Sequence, residues 1–352
     1  MVTDAQQLSA HGPRAAGAGR QTHSAGARCE PRTLTYAAAG VAFCLLAAGL
    51  ISWQPLQLSV ATVFLFAGPH NLAEFRYFLA RLPARWGRSR NFFVVGLAGV
   101  ALLTVTYALL YAAGQAWYLS ADAQTFGVAL WETALVLWLC VLVNLRGRRR
   151  GRDRTWVYAC GFALCAGAWV APLWFGVALV YLHPLVALWF LDRQLKRTHP
   201  RWRNAYQLCL AALPVVLCLL WARLANAPDL PAADALAWRI TRHAGAGLVP
   251  GVSSHLLVAT HVFLETLHYG VWLVLLPAAS YGARAWRVER VPVAVARGGR
   301  PRLVKTTLAL GVCAVCALWL GFAADYATTR DLYFTLAVAH VLAEAPFLIR
   351  LL

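Results

Sequence analysis

Three pairs of residues in this chain combine a histidine with a glutamate four positions later, each inside a long apolar segment. They use half of the six glutamates in the sequence and are His70/Glu74, His261/Glu265 and His340/Glu344. In an α-helix this spacing puts both side chains on one face, about one turn apart. Imidazole and carboxylate groups buried together can bind a metal ion or relay protons.

The composition indicates where these pairs lie. The chain has 352 residues, of which 60% are hydrophobic and only 13% charged, and its mean hydropathy is +0.58. These values are typical of an all-α, polytopic integral membrane protein. The net charge of +18 comes from arginines in short loops between apolar segments, where they orient a membrane protein. We therefore do not expect nucleic-acid binding.

At about 20 apolar residues per span, the sequence predicts about ten transmembrane helices, and residues 156–191 are divided at Pro172. The predicted spans are 34–52, 57–80, 92–114, 124–145, 156–171, 173–191, 205–223, 252–279, 305–324 and 331–349. Residues 1–33 lack an apolar core and are expected to form a disordered basic tail in the cytoplasm. Residues 34–352 are expected to form a single transmembrane helical domain in the inner (plasma) membrane.

The loops alternate in charge. Basic clusters occur at residues 81–90, 146–154, 193–203 and 284–305, whereas the loops between them are acidic or nearly neutral. Because basic loops stay on the cytoplasmic side of a membrane, this alternation favours ten spans with both termini in the cytoplasm.

Ionisable residues within the predicted spans are found on alternate helices. The second, fourth, sixth, eighth and tenth spans carry them in their central portions, and these five helices all run from outside to inside. His70, His183 and His340 each precede an arginine near the inner end of the helix by ten or eleven residues. With a rise of about 1.5 Å per residue, these three histidines are expected at the same depth.

On the eighth span, a stripe of His261, Glu265 and His268 occupies one helix face and is expected to meet this layer. Five histidines form the expected pool of metal ligands: His70, His183, His261, His268 and His340. Three glutamates are the expected catalytic, ligating or imidazole-orienting groups: Glu74, Glu265 and Glu344. Imidazole and carboxylate donors without thiolate favour Fe, Zn, Mn or Cu, and open coordination positions would favour Fe(II).

Other polar residues are expected to have structural roles. His11, His23, His199 and His243 are predicted to be solvated, and His255 to lie near the outer face in a structural role or at the entrance to the site. Glu132 is either a group that bonds across helices or a member of the layer. Arg76 is expected to reach the inner interface or pair with a carboxylate of another helix. The Cys313/Cys316 pair is expected to pack as small hydrophobic residues.

Four short segments, in order, give this chain a resemblance to the bacterial bacteriorhodopsin-related (Brp/Blh-like) β-carotene dioxygenases. The family's Pro-His-Gly-Ala-x-Asp segment is similar to the segment from Pro69 to Glu74, and a later isolated histidine matches His183. A two-histidine helix and a final His-x-x-x-Asp helix are similar to the segments that carry His261/His268 and His340/Glu344. Here Asn71 replaces the glycine, glutamate replaces each aspartate, and the paired histidines are seven rather than four positions apart.

The resemblance implies an all-helical membrane protein that holds non-haem iron through histidines and cleaves a carotenoid. From these observations, the leading hypothesis is a membrane metalloenzyme, an iron-dependent oxidoreductase or oxygenase whose partners are membrane lipid and a lipid-soluble, carotenoid- or isoprenoid-like substrate. A transporter for a divalent metal or protons that uses the same layer is the first alternative. A haem- or quinone-linked electron-transfer protein is the second. The oligomeric state is left open.

Overall fold

The structure is a computed structural model. It describes residues 31–116, 119–231, 234–280, 287–288, 291–296 and 299–351. The described residues form helices joined by turns and irregular segments, with no strand among them. Residues 1–30 of the predicted tail lie outside the described residues, and the first helix begins at Pro31.

Thirteen α-helices follow one another along the described chain. They are α1 (Pro31–Trp53), α2 (Pro55–Leu79), α3 (Arg90–Ala116), α4 (Ala121–Arg149), α5 (Trp156–Val170), α6 (Pro172–Thr198), α7 (Pro200–Leu224), α8 (Ala235–His243), α9 (Ser254–Gly270), α10 (Leu276–Ser280), α11 (Pro292–Val295), α12 (Pro301–Ala324) and α13 (Tyr326–Leu351). A short 3₁₀-helix, Gly87–Ser89, precedes α3, and a π-helical segment, Val271–Leu275, joins α9 to α10.

Each of the ten predicted spans coincides with a helix or, for α9 and α10, with one continuous helical segment. Among the described residues, eight helical segments are long and apolar enough to cross a membrane. Two predicted spans are not among these eight, namely α2, whose apolar sequence is interrupted by several polar residues, and α5, which has 15 residues. The chain is therefore a multi-pass, all-helical membrane protein.

The division of the long apolar segment at Pro172 is confirmed. α5 ends at Val170, Ala171 leaves the helical conformation (φ −147°, ψ 65°), and Pro172 is the first residue of α6. Proline fits the first turn of a helix because its missing N–H would have no helical acceptor there, and it restrains the preceding residue to extended conformations. These two properties turn one apolar sequence into two helices.

The helices that carry polar residues line the interior of the bundle. α9 packs against α2 and α6, and α13 packs against α2 and α4. α1 and α7 pack on the α9 side of this group, whereas α3 packs along α13 and α5 along α4. Half of the apolar window of the segment from α9 to α10 is buried, compared with 11% for α12. α12 thus exposes most of its surface to the surroundings, as a lipid-facing helix does.

A close contact between α3 and α4 shows how tightly the bundle is packed. The Trp138 indole lies directly over Gly99, and its Nε1 donates a hydrogen bond to the Val95 carbonyl at 3.0 Å. A Cβ atom at Gly99 would lie 2.0 Å from Trp138 Nε1. Only glycine therefore fits at this crossing, which keeps α4 close to the bundle and so positions its polar side chain, Glu132.

Candidate metal centre

A cavity of about 250 Å³ lies between the polar helices. Apolar and aromatic side chains of α3, α4, α6 and α13 form much of its wall, including Tyr107, Trp131, Leu179, Phe334 and Val338. All five histidines of the predicted ligand pool line it as well. A concave, mostly apolar space with a few convergent polar groups is the usual form of a small-molecule site.

Four imidazole rings from four helices meet on one side of this cavity. His70 on α2 lies 5.3 Å from His268 on α9 and 5.1 Å from His340 on α13, measured between ring centroids. His183 on α6 lies 4.6 Å from His268 and 5.1 Å from His340. The four rings therefore form a closed quadrilateral, and we call these four residues the histidine cluster.

Two of the three predicted carboxylates belong to this centre. Glu74 has ligand atoms within 4.8 Å of those of His70, His268 and His340, and Glu344 forms a similar group with His183 and His268. His268 is common to both groups. The side chains of Glu74 and Glu344 are buried, with only 1% and 2% of each residue exposed, so neither carboxylate is solvated by bulk water.

A hydrogen bond orients one of the imidazoles, and a carboxylate lies close to a second. His70 Nδ1 lies 3.0 Å from the Phe66 carbonyl oxygen, to which it donates in the matching tautomer. His183 Nδ1 lies 3.2 Å from a Glu344 carboxylate oxygen. When Nδ1 of a histidine donates to an acceptor, its Nε2 keeps a lone pair for a metal, and the partner fixes the ring orientation.

Each helix that supplies a cluster histidine is irregular near that residue. Pro69 precedes His70 in α2, Pro184 follows His183 in α6, and Pro346 follows Glu344 in α13 by two positions. In α9, the π-helical segment Val271–Leu275 begins three residues after His268. Proline inside a helix removes one backbone hydrogen bond, and π-helical turns are frequent at functional sites. Each of the four helices thus has a proline or a π-helical segment within six residues of its cluster histidine.

His261 and Glu265 do not join the histidine cluster, which differs from the expectation for the polar stripe of α9. His261 lies beside His243 (5.2 Å) and Tyr181 (6.0 Å), and Glu265 accepts a 2.5 Å hydrogen bond from Tyr269. Seven residues of α-helix extend about 10 Å, so a stripe on one face reaches two different depths. The stripe therefore meets the cluster at His268, and its other end, at His261, lines the same cavity at a different depth.

Two residues in or beside the cavity were not identified as site residues from the sequence. His243 was predicted to be solvated, but it lines the cavity and contacts His261 and Phe334. Arg330, which is 4% exposed, stacks on Phe334 with its guanidinium carbon 4.6 Å from the ring centroid. The feature of the sequence that could have identified His243 is the amphipathic pattern of α8, in which Ala237, Ile240 and Thr241 are buried.

The remaining polar residues have separate environments. Glu132 is 1% exposed, lines the cavity from α4, and one of its carboxylate oxygens has no hydrogen-bond partner among the described residues. His255 Nε2 lies 2.9 Å from the Ser52 carbonyl, which is a structural contact. Arg76 is buried and donates to the backbone carbonyl of Arg287 at 3.4 Å. Cys313 and Cys316 are free and exposed on α12.

The donors of the histidine cluster fit a metal ion. Several buried polar atoms there have no hydrogen-bond partner among the described residues, including both ring nitrogens of His268, Nδ1 of His340 and both carboxylate oxygens of Glu74. An unpartnered polar atom in an apolar interior is unfavourable by a few kcal/mol. A bound cation would satisfy several of these atoms at once. The donor set of imidazole nitrogen and carboxylate oxygen suits iron, zinc, manganese or copper.

Comparison with protein-family models, with curated proteins and with solved structures found no match to this chain.

Proposed function

We propose that this protein is an integral membrane metalloenzyme, an oxidoreductase or oxygenase with non-haem iron in the histidine cluster and a lipid-soluble substrate. We also infer that α2 and α5 cross the membrane with the other eight helical segments, which places both termini in the cytoplasm of a cell whose inner membrane holds the protein. The convergence of four imidazoles and two buried carboxylates from four helices is the observation that carries the proposal.

In this proposal His70, His183, His268 and His340 hold the metal. Glu74 is either a further ligand or an acceptor for a ligand imidazole, and Glu344 orients His183 through the 3.2 Å contact between them. A bound iron would supply a redox centre at which O₂ and an organic substrate can react. Apolar side chains among the residues that line the cavity would contact such a substrate beside the metal.

The cavity wall supports a lipophilic substrate. The side chains above the histidine cluster are mainly aromatic and aliphatic, and they approach from α3, α4, α6 and α13. The volume of about 250 Å³ is below the range of about 300–1,000 Å³ that encloses drug-sized ligands. A substrate as long as a carotenoid would therefore place only its reacting segment in the cavity, and the remainder would extend between helices toward lipid.

Elemental analysis of the detergent-purified protein tests the metal site. We expect one firmly bound transition metal per chain, lost in the His70→Ala and His340→Ala variants. His261→Ala is the matched control because His261 lies outside both groups of potential ligands and should keep the metal. Absence of a stoichiometric metal after expression in iron-supplemented medium would overturn the proposal.

Oxygen consumption in the presence of a polyene tests the reaction. Oxidative cleavage breaks one C=C bond and forms two C=O groups from one O₂. One O₂ should therefore be taken up for every two carbonyl groups that form. With β-carotene in detergent micelles, we expect turnover by the wild type and none by His340→Ala. A protein that holds iron but consumes no O₂ with any polyene would retain the metal site and exclude this substrate class.

A transporter for a divalent metal or protons is the second candidate. The prolines inside α2, α6 and α13 (Pro69, Pro184 and Pro346) favour it, because each leaves a backbone carbonyl without its helical donor, and free carbonyls at the midplane help transporters bind cations. Cation uptake by proteoliposomes that follows an imposed gradient would support transport. Turnover of a substrate without any gradient would support the enzyme.

The electron-transfer hypothesis has less support in the geometry. It needs two histidines facing each other across a haem, whereas the neighbouring cluster rings lie 4.6–5.3 Å apart. A Soret band in the absorption spectrum of the purified protein would nevertheless establish haem directly.

A further inference from the structure

A group of arginines converges at the end of the bundle where α2, α4, α6 and α13 terminate. We call Arg81, Arg146, Arg149, Arg197 and Arg350 the inner arginine group. Arg81 follows the end of α2, and each of the others lies in the last turn of α4, α6 or α13. Four different helices thus bring guanidinium groups to one place.

Hydrogen bonds fix three of these side chains against neighbouring helix ends. Arg146 donates to the Arg350 carbonyl at 2.6 Å, and Arg350 donates to the Arg81 carbonyl at 2.7 Å. Arg81 hydrogen-bonds the Gln194 side chain and stacks on Tyr77, with 3.3 Å between its guanidinium carbon and the ring centroid. All three are only partly exposed, so the group is built into the bundle and is not a set of free surface side chains.

The positive charges in this group repel one another. Arg350 is repelled by Arg149, Arg197 and Arg81, and Arg146 is repelled by Arg149 and Arg350. None of the five arginines forms an ion pair with a carboxylate within the described part of the chain. Asp192, which lies in α6, is already paired with Arg203 at 2.8 Å.

The helix ends compensate for only part of this charge. The C-terminus of a helix carries about half a negative charge, so four ends contribute about two negative charges in total. Asp153, in the loop after α4, interacts with Arg148 and hydrogen-bonds the Thr155 amide. Five guanidinium groups therefore retain a net positive charge that no described protein group neutralises.

We propose that the inner arginine group binds the phosphate of an anionic phospholipid headgroup. Guanidinium groups bind phosphate oxygens in pairs of parallel hydrogen bonds, and basic pockets between helices on the cytoplasmic side of membrane proteins bind such headgroups. Exposed leucine, phenylalanine and tryptophan side chains elsewhere on the bundle leave apolar surface for the acyl chains. The inference uses the proposed orientation of the chain but not its proposed metal chemistry.

Titration of the full-length, detergent-purified protein with phosphatidylglycerol tests this site, with thermal stability as the readout. Each arginine near a membrane surface contributes about a fivefold gain in affinity for anionic lipid. We therefore expect the Arg146→Gln/Arg350→Gln variant to bind phosphatidylglycerol about 30-fold more weakly than the wild type. Arg223→Gln/Arg242→Gln is the matched control, since it removes the same charge from exposed residues in the last turns of α7 and α8, outside the basic clusters and away from the ends of α2, α4, α6 and α13, and should bind as the wild type does.

A second variant guards against misfolding of the first. Arg149 and Arg197 are exposed, so Arg149→Gln/Arg197→Gln should fold normally and still weaken lipid binding about 30-fold. If both variants of the inner arginine group, the control and the wild type bind phosphatidylglycerol with equal affinity, the proposal is overturned. The proposal is also overturned if phosphatidylcholine stabilises the protein as much as phosphatidylglycerol does. If inorganic phosphate stabilises the protein equally, a lipid is not the source of the anion. Metal content is measured separately, so loss of metal does not affect this result.

Discussion

The carboxylate of Glu344 contacts the histidine of another helix. His340 lies one turn away on α13, yet the Glu344 oxygen lies 3.2 Å from Nδ1 of His183 on α6. Glu265 likewise accepts a hydrogen bond from Tyr269, four residues later on α9. The spacing of four residues places a histidine and a glutamate on one helix face, but the neighbouring helices determine which groups then bond.

Replacement of Glu344 tests this orienting contact. A residue that contacts a ligand imidazole and fixes its orientation, without binding the metal itself, raises metal affinity about 10- to 100-fold. We expect Glu344→Leu to lose affinity in this range and Glu344→Gln to lose less, because a glutamine oxygen can still accept from His183. Competition with a metal chelator measures both affinities.

Glu132→Leu and Glu132→Gln are the controls for the substitutions at Glu344. Glu132 is as buried as Glu344 but lies outside both groups of potential ligands. Its variants should keep the metal affinity of the wild type. An equal loss in the Glu132 and Glu344 variants would contradict a specific role for the contact with His183.

His243 predicts a dependence of stability on pH. Burial, with smaller effects from His261 and Arg330, lowers the pKa of His243 well below its usual value of 6.5. Above pH 6.5 the imidazole is neutral in the folded and unfolded chain, and the full stability is present. Below pH 6.5 the unfolded chain takes up the proton first, so stability falls by up to about 1.4 kcal/mol per pH unit until the lowered pKa is reached.

His243→Phe should remove this part of the pH dependence. We expect its midpoint of thermal unfolding to fall less between pH 7.5 and 5.5 than the midpoint of the wild type does, both measured in the same detergent. His199→Phe, which changes a histidine outside the cavity, controls for the loss of an imidazole. If the unfolding midpoint of His243→Phe depends on pH as strongly as that of the wild type, then His243 is protonated as easily in the folded protein as in the unfolded chain.

At the scale of the helix, the distorted backbone beside the histidines is a specific feature of the site. Pro184 removes the N–H that would bond to the Val180 carbonyl, and Pro346 does the same for the Leu342 carbonyl. A straight helix would turn and tilt the residues near the proline differently. The direction of His183 toward its neighbours therefore depends on the proline that follows it.

Pro184→Ala tests this dependence. Because proline in a helix interior costs about 3 kcal/mol, we expect the variant to unfold at the same or a higher temperature. Straightening α6 moves His183, so metal affinity should fall about tenfold. Pro214→Ala is the control, since Pro214 lies inside α7, which supplies no residue to the cluster. Equal metal affinities in the two variants would mean that the distortion of α6 does not position His183.

At the scale of the whole molecule, the distribution of charge predicts the orientation in the membrane. The segment from residue 146 to 154 is strongly basic, whereas the only charged residue near the start of α4 is Asp122. Fluorescent-protein fusions after residue 150 and at the C-terminus should fluoresce, and an alkaline phosphatase fusion after Asp122 should be active outside. Phosphatase activity after residue 150 would contradict the orientation with cytoplasmic termini.

Much of the helical architecture was predictable because hydropathy is a local property. Ten helical segments and the break at Pro172 follow from the lengths of apolar sequence and from one proline. The two segments that fall outside the eight apolar spans are also explained locally, since α2 contains His70, Glu74 and Arg76 and α5 is short. Alternation of polar and apolar helices predicted five of the helices that line the cavity (α2, α4, α6, α9 and α13) but not α3 and α8, which also line it.

The composition of the site was only partly predictable. Four of the expected ligands are close together, namely His70, His183, His268 and His340. His261 precedes His268 by seven residues on α9, so it lies about 10 Å from the level of the cluster. His243 was missed because it belongs to a short helix after a polar loop. Its proximity to the cavity depends on how α8 folds back onto α9.

The sequence by itself determined that this chain is a helical membrane protein and that its imidazoles and carboxylates lie on alternate helices at related depths, because apolar length, helical period and loop charge act along the chain. The tertiary structure alone decided that four imidazoles form one cluster, that Glu344 contacts His183, and that five arginines converge at the inner ends of four helices. These relations join residues up to 270 positions apart, as in the contact between His70 and His340. They depend on helix rotation and packing, which no local pattern specifies.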